Sequence, residues 1–346
     1  MNQLKILLTT VGGVAFPSTI NAFREFKKGY RVVIFGTDKN ENAVGKFFVN
    51  KFFKCEDSLL NPKKFNNQII EIIRKQKIDI LIPNGNEDIV ALRKVKHKIK
   101  IPILDSQKNF EKNYFNKKDV YETLIKNVPE ICPKYMVFKN KKNFDLAKKK
   151  LKFPKKNIVL KPLSATGGRG VYELSHKVDK SIFSNRFELP QIYNSQVLKY
   201  LKKKNKDEEI MALEKLSKPF ISVYSICMDG YNFFSLSQER EWGNASQTLR
   251  GKVAHNKKIE KIASKIIKEL NLSYLINMEF GFDKKNQLKL FDLNPRLAAS
   301  PSVHVNIGIN FPKIALNLLL DNKWEPKLKF KNNKLKLYRY FSHIWN

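Results

Sequence analysis

The stretch INMEFGFDKKNQLKLFDLNPR, residues 276–296, decides the fold. It reads as two strands, Tyr274–Phe282 and Leu288–Leu293, joined by a turn at Asp283–Gln287. Side chains alternate along a strand, so Ile276, Met278, Phe280 and Phe282 share an apolar face while Asn277 and Glu279 take the other. On the second strand Asp292, Asn294 and Arg296 recur every two residues. A hairpin therefore sets Glu279 beside Asp292 and Asn294. Two carboxylates and an amide oxygen are hard donors suited to Mg²⁺, with water and phosphate oxygens completing the sphere. Arg296 stands next to them, able to stabilise negative charge on a transferring phosphoryl group. The wet face of a surface hairpin accounts for either strand alone. It accounts poorly for both, closed by Pro295.

Upstream, LKPLSATGGRGV spans residues 160–171. Lys161 ends an apolar strand, Asn157–Pro162, where a lone ammonium is costly unless an anion meets it. The glycines let successive backbone N–H groups converge on an anion, and Arg169 adds a fork of donors. No Gly-Lys-Ser/Thr enters a helix, so this is not a Walker loop. A plain structural hairpin is the competing reading of such a loop taken alone. Between the two constellations fall strands at Glu209–Leu216 and Phe220–Met228 and an amphipathic helix at Lys257–Leu270. Before them come a helix at Lys117–Asn127, a strand at Tyr135–Phe138 and a Lys-rich helix at Phe144–Leu151. Phe311–Leu320 reads as a helix, and beyond Trp324 a Lys/Asn-rich tail packs back on the surface.

The first hundred residues alternate strand and helix: strands at Lys5–Thr9, Arg31–Phe35, Asp79–Ile82 and Ile101–Leu104, helices at Pro17–Lys28 and Pro62–Gln76. That alternation implies right-handed βαβ units and a parallel sheet. Gly12-Gly13 after the first strand and Asp38 after the second suggest a dinucleotide site. Yet TTVGGVAFPS is not GxGxxG, and Asp38 lies 26 residues beyond Gly12, against about 20 in that fingerprint. The match is weak.

Taken in order, Lys161, GGRGV, Glu214-Lys215-Leu216, NMEF and DLNPR resemble the ATP-grasp superfamily. The nearest branch is the one containing carbamoyl phosphate synthetase large-subunit domains and related carboxylate–amine ligases. LLTTVGGVAFPS, FGTD and DILIPNGNED resemble that branch's N-terminal domain, and NKKDVYETL its DK-x-x-x-x-x-x-L helix. The resemblance implies an α/β chain, with a Rossmann-like pre-ATP-grasp domain over 1–110 and a two-lobed ATP-grasp domain over 111–325. The lid lobe falls at about 134–216, and 326–346 form a C-terminal tail. It further implies that Lys117 and Lys161 contact ATP phosphates beneath a loop of Gly167, Gly168, Arg169, Gly170 and Val171. Glu214, Lys215 and Leu216 hold adenine, and Glu279, Asp292 and Asn294 hold Mg²⁺, or Mn²⁺ in its place. Arg296 and Arg240 are the catalytic cations, and His304 is either a substrate contact or a satisfied core histidine. The implied activity is ATP-dependent ligation of a small-molecule carboxylate to an amine through an acyl phosphate, releasing ADP and phosphate. Two departures stand out. The ribose-binding Glu usual five to seven residues past the hinge is replaced by Pro219-Phe220-Ile221, and Asp292 replaces a commoner Glu. The first motivates an alternative, a non-catalytic or regulatory nucleotide-binding protein.

Composition bounds these readings. The 346 residues, 42% hydrophobic, suffice for two or three cores and exclude a disordered chain. The formal charge is +34, but only 10 of 66 cations are Arg. Nucleic-acid sites favour Arg interleaved with aromatics, whereas runs such as Lys148–Lys150 and Lys202–Lys204 read as solvated helix faces. A basic nucleic-acid-associated protein is thus the third reading, and nucleic acid is not the expected partner. Cys55, Cys132 and Cys227 are scattered and match buried thiols in a reducing cytoplasm. No apolar run approaches the roughly 20 residues of a membrane span, so the expected location is cytoplasmic. A homo-oligomer is compatible with the chain, and the acid and amine are not legible.

Overall fold

The computed structural model of the chain describes residues 2–14, 16–26, 30–107, 111–164, 169–175, 189–203, 209–243, 247–254, 256–297, 300–321, 326, 335–340 and 342–345. Three sheets organise them.

The first is parallel, built from β1 (Asn2–Leu8), β2 (Tyr30–Asp38), β3 (Lys51–Lys54) and β4 (Ile80–Ile82) in the order β3-β2-β1-β4. Helices α1 (Phe16–Arg24), α2 (Pro62–Gln76) and α3 (Asn86–Arg93) complete the unit. The chain leaves β1 on one side and returns to it as β4 on the other, placing a topological switch point between their C-terminal ends. Ile101–Leu104 is not the strand its sequence suggests: it makes a single parallel bridge, Leu81 to Ile103. Pro102 offers only its carbonyl, to Leu81 N–H at 3.0 Å, because proline has no ladder donor. Asp38, the candidate ribose ligand, accepts Gly12 N–H at 2.7 Å and Asn40 N–H at 2.9 Å. A Cβ at Gly12 would lie 2.7 Å from that carboxylate, so glycine is what lets the loop close on it.

The second sheet carries β5 (Tyr135–Phe138), β6 (Ile158–Pro162), β7 (Tyr172–Ser175), β8 (Gln191–Tyr193) and β9 (Ile210–Glu214), ordered β5-β9-β6-β7-β8. It follows α4 (Lys117–Asn127) and packs on α5 (Lys141–Lys150) and α6 (Asn194–Lys203) through its own core, which includes Phe138, Phe144, Leu160 and Val197. Helix α5 starts three residues earlier than its apolar spacing indicates, because Asn140 caps it by accepting Asn143 N–H at 2.9 Å.

The third sheet is antiparallel, ordered β14-β13-β10-β11-β12-β15. Its strands are β10 (Ser217–Met228), β11 (Tyr231–Gly243), β12 (Thr248–Ala254), β13 (Tyr274–Phe282), β14 (Leu288–Asn294) and β15 (Lys336–Tyr338). Helices α7 (Lys257–Glu269) and α8 (Phe311–Leu320) flank it. Strands β11 and β12 went unread in the sequence, and β15 draws part of the expected tail into the sheet edge. Alternation sorts the faces. Val223, Ile276, Met278 and Phe280 pack under α4 and α7. Tyr224, Ile226, Leu236 and Leu275 meet Phe311 and Leu316 of α8 together with Phe16, Ile20 and Phe23 of α1. Each large side chain so buried contributes about 2–3 kcal/mol. The link between the N-terminal unit and this sheet is tied down by Arg93, which makes a bidentate pair with Asp105 at 2.6 and 2.7 Å. Ser106 Oγ donates to the Leu275 carbonyl at 3.2 Å.

Candidate active site

The β13–β14 register pairs Glu279 with Asp292 and Asn277 with Asn294, with a bulge just after Glu279. All four belong to the face shared with Tyr224, beyond the edge of its apolar core. Here polar side chains gather. Asn294 Nδ2 donates to Asp292 Oδ2 at 2.9 Å, which turns the amide so that its oxygen is the atom left to meet a cation. Glu279 accepts Ser222 Oγ at 2.8 Å and faces Arg240 Nη1 at 3.3 Å. Burial pushes the Glu279 carboxyl above its usual range, opposed by Arg240 and Ser222. Asp292, Glu279 and the freed Asn294 oxygen form a donor set that fits a hard divalent cation. Among the described residues no cluster of three or more His, Cys, Asp or Glu exists, so the third donor is the amide.

Opposite lie the lysines. Lys117 opens α4, and its Nζ stands 3.5 Å from Asp292. Lys161, on β6 of the second sheet, is buried, and its Nζ donates to the carbonyl of Phe291 on β14. Burial first, and then the charge of Lys117, lower its pKa to about 7. A cation so desolvated gains most when an anion arrives. Arg296, past Pro295, does not continue the strand; its Nε donates to Asn86 of α3 at 2.6 Å. Burial lowers its pKa, against the pull of Asp292 and Glu87.

The hinge triplet lies between the second and third sheets. Glu214 N–H donates to the Lys134 carbonyl at 3.0 Å and its carboxylate accepts Lys134 N–H at 2.8 Å. Lys215 N–H donates to Asn157 O at 3.2 Å, its Nζ pairs with Glu173 at 2.7 Å, and Leu216 is buried. Gly167 and Gly168 lie outside the described residues. Gly170 adopts a φ of +70°, as a turning loop requires, and Arg169 and Val171 flank it. His304 is 2% exposed, with Nε2 3.1 Å from Gln238 Oε1 and its ring 4.8 Å from Tyr224, which makes it a core residue. The three cysteines are buried thiols, and no described helix is long and apolar enough to cross a membrane.

Comparison with known proteins bears on this geometry. A family described as "ATP-grasp in the biosynthetic pathway with Ter operon" matches residues 206–337. Among solved structures, N5-carboxyaminoimidazole synthetase from Staphylococcus aureus superposes over 92% of this chain and 79% of its own, with a TM-score of 0.64 at 15% identity. The L-amino acid ligase of Bacillus licheniformis gives 0.65 at 12% identity, over 93% of this chain and 75% of its own. The biotin carboxylase domain of the Hydrogenobacter thermophilus 2-oxoglutarate carboxylase, solved with MgADP and bicarbonate, gives 0.65 at 13%, over 93% and 70%. The chain has the ATP-grasp fold. No curated sequence matches it significantly.

Within this ATP-grasp fold, sequence reasoning missed three participants. Ser222 braces Glu279 from β10, the Phe291 carbonyl receives Lys161, and Asn86 receives Arg296. Ser222 carried a faint signal, since Ser222 and Tyr224 are polar groups at alternate positions of the mostly apolar stretch Phe220–Met228. Asn86 lay in plain view within NGNED, but nothing local connects it to a residue 210 positions away.

Proposed function

We propose that the protein is an ATP- and Mg²⁺-dependent carboxylate–amine ligase that forms an amide or peptide-type bond through an acyl phosphate. The observation that carries this reading is the convergence of Lys117 and Lys161 on the strand that bears Asp292 and Asn294, opposite Glu279. The same fold in an L-amino acid ligase, and in a carboxylase solved with MgADP and bicarbonate, supports it.

A carboxylate is a poor electrophile until one of its oxygens becomes a phosphate leaving group. In this scheme the substrate carboxylate attacks the γ-phosphorus, the bond to the β-phosphate oxygen breaks, and ADP leaves. The amine then attacks the acyl carbon, phosphate departs and the nitrogen loses a proton. A divalent ion held by Glu279, Asp292 and Asn294 would supply the charge that screens the γ-phosphate from the approaching carboxylate. Lys117 and Lys161 grip the phosphates, and Lys161 regains its proton as they bind. Arg240 and Arg296 flank the transferred group, and backbone at Glu214–Leu216 holds the base. The loop ending at Arg169–Val171 keeps water from the acyl phosphate. We assign residues 1–110 to the N-terminal unit and 111–325 to the two ATP-grasp lobes, the lid spanning about 134–216.

The test has two arms. Calorimetry with Mg·ATP should show saturable binding, lost in Lys161→Ala. A screen of acids and amines should then find a pair that triggers ADP release in the native chain and not in Asp292→Ala. Binding without turnover for any pair would make the protein a nucleotide sensor. No binding at all would refute the reading.

A further inference from the structure

Arg296 is a half-buried cation whose hydrogen bonds, among the described residues, go to neutral groups. Its Nε donates to Asn86 Oδ1 at 2.6 Å and its Nη1 to the Leu297 carbonyl at 3.3 Å. Asp292 and Glu87 act on it through space, without a direct ion pair. Asn86 is itself buried, 7% exposed, and is the first residue of α3, beside the switch point of the parallel sheet. It belongs to a unit separated by most of the chain from the motif it serves.

The choice of an amide here is chemically specific. Guanidinium pairs most strongly with carboxylate, and an Asp in place of Asn86 would give a charge-assisted bond in the same geometry. Such a bond would also cancel the cation. An amide oxygen accepts from Nε and so fixes the plane of the fork, yet leaves its charge uncompensated. Half-burying an uncompensated guanidinium costs hydration that an arriving anion makes good.

We propose that Asn86 is a positioning residue for phosphoryl transfer, orienting the Arg296 guanidinium without neutralising it. The N-terminal unit thereby takes part in the chemistry of the antiparallel sheet. This rests on the ligase reading above. The anion at Arg296 is the phosphoryl group, first on the acyl phosphate and finally as inorganic phosphate, which is released whatever the acid substrate.

That product supplies a probe requiring no knowledge of the acid. The full-length chain is saturated with Mg·ADP and titrated with inorganic phosphate by calorimetry. Asn86→Asp and Asn86→Ala should each weaken phosphate binding about tenfold, the scale of one hydrogen bond to a charged group. Mg·ADP affinity should stay within roughly twofold of the native value, since on this proposal Asn86 acts through Arg296. Asn86→Asp should melt no lower than the native protein, because it gains an ion pair, so stability and phosphate affinity move apart. Being nearly isosteric, it keeps the test valid even if the alanine variant folds poorly. In an Arg296→Met background Asn86→Ala should not weaken phosphate binding further. Phosphate affinity within about twofold of native in both variants overturns the proposal, as does an effect that persists without Arg296. So does a native Mg·ADP complex that binds no phosphate. Failure of the native chain to bind Mg·ADP at all would instead bring down the ligase reading on which the proposal stands.

Discussion

The carboxylates of the N-terminal unit and those of the antiparallel sheet are engaged in contrasting ways. Asp88 accepts from Thr9 and Thr10 at 2.5 Å each and from Ser58 at 2.6 Å. Asp38 is likewise consumed by backbone, Asn40 N–H of its own loop and Gly12 N–H of the loop after β1. Glu279 and Asp292 instead face Arg240 and Lys117 at 3.3 and 3.5 Å, loose pairings with long, movable cations. Burial does not separate the two groups, because it pushes both Asp88 and Glu279 above the ordinary carboxylate range. What separates them is the partner. Asp88 and Asp38 are held by hydroxyls and backbone amides of their own unit, whereas Glu279 and Asp292 keep one such partner each, Ser222 and Asn294, and in addition face cations that a ligand can displace.

Removing one charge at each place should break this symmetry most sharply. Asp292→Asn should lower substrate-dependent ADP release by at least about 10³-fold, with the melting temperature nearly unchanged. Steady-state phosphate release and calorimetric melting measure the two effects. A variant that turned over normally would put Asp292 in the same class as Asp88.

The opposing cation gives the next effect. The folded pKa of Lys161 is lowered from 10.5 to about 7, so the unfolded chain binds more protons between those values. Nucleotide-free stability should therefore rise with pH from about 7 toward 10.5, by at most about 5 kcal/mol, and Lys161 should add no slope below pH 7. Urea denaturation at pH 7 and 9 should show the gain in the native chain and lose most of it in Lys161→Met. Binding of the triphosphate near pH 8 should take up a proton, visible as a binding heat that varies with buffer.

Smaller effects test the structural side. Asp88→Asn should cost about 2 kcal/mol of stability, as hydroxyls lose acceptor lone pairs, while Mg·ATP affinity holds. Gly170→Ala should cost about 1–2 kcal/mol, because the residue sits at a φ of +70° and its Cβ would lie 3.0 Å from Pro162. Denaturant midpoints check both.

The hairpin at 276–296 was legible because period-2 alternation and a short turn fix a register almost alone. Lys161 stood out because an ammonium at the end of an apolar strand needs a reason. Strand β11 was harder to read, since its alternation dissolves in the charged run Gln238–Glu241. The local clue was Asp229-Gly230, whose φ values of +49° and +79° make the two-residue turn from β10. Ile101–Leu104 misled because β propensity does not reveal that Pro102 lacks a donor where pairing needs one. The Ser222 and Asn86 contacts depend on how distant segments meet, which no periodicity encodes.

The apolar core that joins α1 and α8 to the antiparallel sheet has a practical corollary. Phe16 and Phe23 are sealed among side chains from Tyr224 to Leu318, whereas the second sheet has its own core on one face and lends Met211 and Leu213 to the core beneath α4 and α7 on the other. A chimaera that exchanged the first hundred residues for those of a distant relative would strip one wall from the remaining half. A graft of the middle lobe would have to keep only the apolar contacts that Met211 and Leu213 make with the third sheet, since its other face is packed by its own helices.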